Sequence, residues 1–576
     1  MVSILINWFY ICLTTFITGH FVTSKLYQMM KGKHHVSVMT SLVAGIAVNT
    51  TYAGFYSLFG GVNIAANVVL LILCAVCVFL ERDYYKELTQ RVKMIKNQKI
   101  TVSKLIMVLL ALIIIAGISY FCSNTGFMYD TGLYHAQSIR WTEEYGAVKG
   151  IANIHERFGY NSSFFSFMAL YSMKDLFGQS LHSGQAFIGA IVCIYAVCGL
   201  FTHWSRKYLF SNVCRVAPVI YTIIILFEII SPTTDFPTVY LIMWLVIRFA
   251  LLAENGETDS APYALLAVFT VFLVALKLTA VCMVLIVIYP AYDMIRHKKW
   301  KQVMICVAAG LILIAPYLIR NVIISGWLVY PFASLDLFLV DWKLPAETAI
   351  GDATDIKVYA RYVYDRSLVS QSIFQWFPTW WEGQRPLERF FSAAALLAAP
   401  AGLIVCAIRL LMARKVVDTK LFQIVLLNIV MICGFAFWMF SSPLHRYGYA
   451  FLLTVPLLVI ATTLDMFWDY KWLRVFGLIC SAGLFALIAF PTYKTLWDDY
   501  YLFKDVSKDT SYLFMQKDYP DPEMESQDLN GITIYYPQEA GGQSWYAHFP
   551  ATNFGTNIQY WENRGDHIQD GFRHKY

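Results

Sequence analysis

The chain is dominated by apolar runs close to the length a helix needs to cross a bilayer, roughly 20 residues. About fourteen such runs can be read by length and periodicity, each with few charges. They begin with Ser3–Thr23, Val36–Phe59 and Val62–Leu80, continue through Val102–Cys122, and end with Val475–Phe490. Hydrocarbon offers no hydrogen bonds to the backbone, so runs of this length must satisfy their own N–H and C=O groups as helices. Hydrophobic residues make up 58% of the chain and charged residues only 14%, against about a quarter charged in a soluble domain. The expected fold class is an all-α polytopic membrane protein.

Basic residues set the expected orientation. Lys25, Lys31 and Lys33, the cluster from Arg82 to Lys99, Arg206, Lys207 and Arg215, Arg296 to Lys301, Arg409 to Lys420, and Lys471 with Arg474 all fall on one side of the predicted spans. That side reads as cytoplasm. Both termini, loops 123–183 and 320–389, and the tail 494–576 are then extracytoplasmic. This pattern requires Phe164–Phe177 to be an interfacial helix and not a span, as Lys174, Asp175 and its short length suggest. The first span lacks an early basic residue and an Ala-x-Ala site, so it is expected to be retained.

Three parts follow. Residues 1–101 carry three N-terminal helices, 102–493 a transmembrane core, and 494–576 a small α+β tail whose segment Gly531–Pro537 reads as a strand. Cys74 and Cys77 form a CxxC inside an apolar helix and read as packing residues. The tail has no cysteine, so no disulfide is expected there. The net charge of +6 sits mainly in the basic loops, which suits contact with anionic membrane lipids and not nucleic acid.

Ionisable residues at membrane depth are costly and mark function by default. Asp130 lies just past the fourth span. Spacing of i, i+4 and i+11 would place Asp130, Tyr134 and Trp141 near one helical face, with His135, Arg140, Glu143, Glu144, His155 and Arg157 nearby. Asp235 lies between two spans. Lys277 marks the interruption of a short hairpin, Pro262–Tyr292. Arg320 and Asn321 end another span, and His445 and Arg446 begin one. All are expected at the same outer interface. Each has a plainer reading: Asp130 and Asp235 as helix caps, Lys277 as a snorkelling side chain, Arg320 and Arg446 as interfacial anchors, Glu143 and Glu144 as a solvated face, and His155 as a structural hydrogen-bonding residue.

The order of parts resembles the GT-C superfamily of membrane glycosyltransferases. An early acidic residue follows a span, Asp175-Leu-Phe-Gly178 precedes the next one, and Arg320-Asn-Val-Ile-Ile-Ser-Gly-Trp-Leu-Val-Tyr-Pro331 is similar to a segment of many such enzymes. The chain looks closer still to uncharacterised bacterial integral membrane proteins of surface-polysaccharide loci. Gly150–Ser162, Ser544-Trp545, His548-Phe-Pro550 and Arg564–Arg573 carry that likeness. Those relatives often have Cys where this chain has Ser544. Three spans precede the usual first GT-C span.

The resemblance implies a bundle of about fourteen transmembrane helices in a bacterial plasma membrane. Its implied activity is transfer of a sugar from a polyprenyl-phosphate donor to a glycan or lipid-linked acceptor outside. Such a reaction needs a base for the acceptor hydroxyl and cations for the departing lipid phosphate. Asp130 is the candidate base. Asp235 is a candidate to share that work or to bind a divalent metal or the acceptor, and His135 is a third catalytic candidate. Lys277, Arg320, Arg446 and His445 are candidate phosphate partners. Tyr134, Arg140, Trp141, His155, Arg157 and Asn321 complete the expected substrate-binding set. No cofactor is assigned. A polysaccharide polymerase, or a flippase or transporter of lipid-linked sugars, is the alternative. The tail's Trp545, Tyr546, Phe549, Tyr560 and Trp561 would either stack on sugar rings or pack on the outer loops.

Overall fold

The computed structural model describes residues 1–30, 34–96, 101–413, 418–469, 510–539, 542–553 and 555–575, with scattered positions between 471 and 486. It is mostly helical. Eleven helices are long and apolar enough to cross a membrane, and a twelfth is reached if the pair from Ile64–Leu80 into Arg82–Arg91, bent by 80°, counts as one span. Ser260–Leu276 is apolar but shorter. The predicted span Val475–Phe490 lies almost wholly outside the described residues.

Two groups of contacts mark opposite ends of the bundle. At one face the Met1 amine donates to the Tyr512 carbonyl at 2.6 Å, and Gln516 reaches the Cys122 carbonyl at 3.0 Å. Gln516 also accepts from the His182 backbone at 2.9 Å. The N-terminus, the 123–183 loop and the tail therefore share that face. At the other face Gln302 bonds the Met30 carbonyl at 2.7 Å, His34 meets Asp259 at 2.7 Å, and Arg409 pairs with Asp465.

The first two helices, Val2–Met29 and Val38–Tyr56, are packed into the bundle. A Cβ on Gly45 would stand 1.8 Å from the Thr15 carbonyl oxygen, and one on Gly19 would stand 1.9 Å from that of Ser41. Small residues are what let two membrane helices approach this closely.

Phe164–Phe177 is not the interfacial helix the sequence suggests. Its first part, Ser163–Leu170, is an eight-residue helix whose Phe164 to Leu170 are all buried. Its side chains are apolar but for two serines, and such a helix goes inside. Only Lys174–Phe177 lies near the surface. Neither piece crosses, so the charge pattern is preserved.

In the tail, β1 (Met524–Leu529) pairs antiparallel with β2 (Ile532–Pro537), and β3 (Trp561–Asn563) with β4 (Phe572–His574). The tail docks on the 123–183 loop. Gln137 Nε2 donates to the Trp545 and His548 carbonyls at 2.8 and 2.7 Å. Arg140 reaches the carbonyls of Tyr546 and Ala547, both at 2.6 Å.

Candidate functional site

The site begins where the helix Val102–Asn124 ends. Met128 N bonds Ser231 Oγ at 2.7 Å, which ties the chain to the loop before Asp235. Thr131–His135 then forms one π turn before the helix Ala136–Glu144. A π turn adds a residue to the helical register and is frequent at functional sites. Trp141 is buried against Phe549 of the tail, with ring centroids 4.6 Å apart.

Asp130 makes no side-chain cap to the turn it precedes. Its Oδ2 instead accepts from Arg446 Nη2 at 2.5 Å. Arg446 is the second residue of the helix His445–Met466. Its Nε lies 3.6 Å from Asp235 Oδ2, and its Nη2 donates to the Tyr447 hydroxyl at 3.2 Å. Asp235 opens the helix Asp235–Glu254, where the N-terminal dipole favours an anion. It is 3% exposed and pairs directly with Lys277.

Lys277 follows the break the sequence predicts. The helix Ser260–Leu276 stops, Lys277 is extended, and a 3₁₀ stretch Leu278–Val287 begins. Ser162 Oγ donates 2.7 Å to the Leu276 carbonyl freed by the break. The Lys277 ammonium sits 3.7 Å from the Tyr447 ring centroid. Asp130, Arg446, Asp235 and Lys277 thus form one continuous network of two anions and two cations. Each stands at or just past a helix end, on the face shared with the tail.

Beside this network lies a cavity of about 420 Å³. Tyr134, Arg157, Tyr160, Lys277, Tyr330, Lys357 and Tyr447 supply its polar lining, and Val274, Leu276, Leu278, Ile356 and Phe437 its apolar lining. Tyr160 and Tyr330 both donate to Asp352 Oδ2, Tyr330 at 2.9 Å. Burial pushes the Asp352 carboxyl up from its ordinary range. Burial also acts to raise Asp130, but the adjacent Arg446 outweighs it and holds Asp130 below the ordinary carboxylate value.

Several other expected site residues lie outside the ion network. Arg320 is buried among Asn161 Oδ1 at 2.9 Å, Ser57 Oγ at 2.5 Å and Thr142 Oγ1 at 3.3 Å. It joins three segments and is not part of the ion network. Asn321 donates to the Leu328 carbonyl at 3.1 Å. Arg140 pairs with Glu144 at 2.7 Å and lies over the Phe549 ring, so it serves tail docking. His155 Nδ1 accepts from the Arg157 backbone at 3.2 Å, within a buried turn. His445 stacks on Trp380 and meets Ser392 Oγ at 2.9 Å, turned away from its neighbour Arg446. His135 packs on Tyr134 and Phe165, and burial lowers it to about 3. It is neutral at pH 7 and lies behind the network. Glu143 is buried, accepting from Ser180 at 2.6 Å and Tyr546 at 2.5 Å, and is no solvated face.

Tyr447, Tyr160, Asp352 and Lys357 were not singled out from the sequence. Tyr447 is adjacent to Arg446 and Tyr160 belongs to the Gly150–Ser162 segment; Asp352 and Lys357 carry no such local signal. Among the described residues no group of three or more His, Cys, Asp or Glu side chains could hold a metal. Asp130 and Asp235 are already engaged by cations, so this donor set does not fit one. The tail contributes nothing to the cavity lining among the described residues. Its described residues pack on the 123–183 loop beside the cavity.

A family model described as a domain of unknown function (DUF8201) matches residues 1–453. The chain belongs to that family. The match covers the three N-terminal helices. It also contains all four members of the ion network, while the tail lies beyond it. No curated protein and no solved structure matches the chain.

Proposed function

We propose that the protein is a GT-C-type glycosyltransferase of a bacterial plasma membrane. It would move a sugar from a polyprenyl phosphate to a glycan or lipid-linked acceptor on the extracytoplasmic face. The observation that carries this reading is a carboxylate–cation network at helix ends, beside a cavity with both apolar and cationic lining. A polyprenyl-phosphate donor presents the matching pair, an apolar chain and an anion at headgroup depth. The placement of the basic loops on the opposite face supports an extracytoplasmic site.

In this reading Asp130 is the base. Arg446 holds Oδ2, and no hydrogen bond among the described residues engages Oδ1. An acceptor hydroxyl approaching Oδ1 would lose its proton there as its oxygen bonds the anomeric carbon. The bond from that carbon to the phosphate oxygen breaks, and the lipid phosphate leaves with the electron pair. Arg446 keeps Asp130 ionised, at a cost in basicity. A transporter would place ionisable residues near the bilayer midplane, which these helix-end positions do not favour. A polymerase would use the same face and the same chemistry.

The test is incubation of purified protein with polyprenyl-phosphate-linked hexoses and pentoses, following release of free polyprenyl phosphate and labelled product. Flux of the intact lipid across proteoliposomes without release would replace this reading with transport.

A further inference from the structure

The ion network is charge-balanced. Asp235 engages Lys277, and Arg446 is shared between Asp130 and Asp235. An incoming anion would have to compete with these carboxylates for either cation. Two cations outside the network line the cavity together with Lys277. Arg157 comes from the 123–183 loop and Lys357 from the helix Ala346–Ala360 of the 320–389 loop. Neither is in direct ion-pair contact with a carboxylate among the described residues, and the Asp352 and Asp130 charges act on Arg157 only at longer range.

The fold brings both to this one cavity. Ala353, Ile356 and Lys357 all line the cavity, and spacings of three and four put them on one face of that helix. The preceding turn carries Asp352, clamped by the hydroxyls of Tyr160 and Tyr330. Tyr160 is three residues from Arg157, so the clamp fixes the lysine's helix against the arginine's loop. The two tyrosine rings lie 5.4 Å apart and line the cavity between these segments.

We propose that Arg157 and Lys357 form the anion subsite of this cavity and receive a phosphate monoester or diester group, with Asp352 as the residue that positions them. Taking the anion to be the phosphate of a lipid carrier rests on the glycosyltransferase reading. The apolar lining, Val274, Leu276 and Leu278, is continuous with Lys277 in the chain and suits the first isoprene units. Lys277 and Arg446 then keep Asp130 and Asp235 in place.

The experiment measures binding of undecaprenyl phosphate, undecaprenol and inorganic phosphate to the full chain in detergent. Wild type should bind undecaprenyl phosphate about tenfold or more tightly than undecaprenol, the effect of one charge-assisted contact. Lys357→Gln, at a partly exposed helix position, should remove most of that preference, and Lys357→Glu should abolish it. Asp352→Asn should weaken the preference, with the neutral lipid still bound. Competition by millimolar inorganic phosphate, lost in Lys357→Gln, would assign the subsite to free phosphate as well. An unchanged preference in both Lys357 variants overturns the proposal, as does equal binding of the two lipids by wild type. Sugar transfer is scored separately. Transfer with a Lys357-independent lipid preference sinks only the subsite, and a Lys357-dependent preference without transfer sinks only the enzyme reading.

Discussion

The Asp130 carboxylate accepts a hydrogen bond from the guanidinium of Arg446, 316 residues later in the chain. This contact closes the bundle between the 123–183 loop and the last described membrane helix. It also decides how Asp130 behaves, because the side chain caps no helix and instead faces a cation.

Replacing Asp130 with Asn should therefore lower turnover by about 10²–10⁴-fold, the usual range when a general base is lost. The variant should still insert and purify as a single species. A simple cap would tolerate Asn almost silently. Full activity of Asp130→Asn in the lipid-phosphate release assay would remove Asp130 from the mechanism.

Arg446→Ala leaves two carboxylates short of a partner. The expected loss is about 3 kcal/mol, the size seen when one member of a buried pair is removed. Adding Asp130→Asn to Arg446→Ala should restore part of that stability without restoring activity. Thermal unfolding in detergent checks both, and strict additivity of the two changes would argue against direct coupling.

The acid limit of stability should come from buried histidines, not from Asp130. Burial lowers both His135 and His182 to about 3, whereas the unfolded chain protonates near 6.5. Between these values the unfolded state binds more protons, so stability falls as pH falls through that window. Asp130 has a depressed folded value, so its contribution persists until the pH drops below the ordinary carboxylate range, near about 4. His135→Phe should flatten the loss between pH 7.5 and 5 in a melting series. An unchanged slope would show that His135 titrates freely in the fold.

Gly45→Ala should destabilise the bundle, because the new methyl would meet the backbone of Thr15 and not a movable side chain. Forced helix separation of this kind costs about 1–3 kcal/mol or more. Gly117→Ala, with nothing within 4 Å of the added carbon, is the matched control. Equal melting temperatures for the two variants would contradict the close crossing.

The tail should depend on Arg140. Arg140→Ala removes the bonds to Tyr546 and Ala547 and the stacking on Phe549. Limited proteolysis should then cut the 543–549 segment faster than in wild type, with the membrane helices intact. Equal cutting rates would mean that Gln137 and Trp141 alone secure the tail.

The sequence alone determined the membrane class, most helix positions, the break at Lys277, and the β2 strand. These follow from local quantities: runs of apolar residues, and a chain interruption with its own composition. It also named all four members of the ion network, because charged residues at span ends are few enough to stand out. The tertiary structure decided which of them meet. Arg446 and His445 are neighbours in sequence, yet a helix turns them about 100° apart, one toward Asp130 and the other onto Trp380. Arg320 looks the same as Arg446 in sequence, but the partners it meets among the described residues are hydroxyls and an amide and no carboxylate. The π turn at Thr131–His135 shifted the loop's register, and the buried helix Ser163–Leu170 was apolar but for two serines. Neither is visible in spacing alone. Spacing fixes where a side chain sits on its own helix, while the partner it meets is set by how distant helices pack.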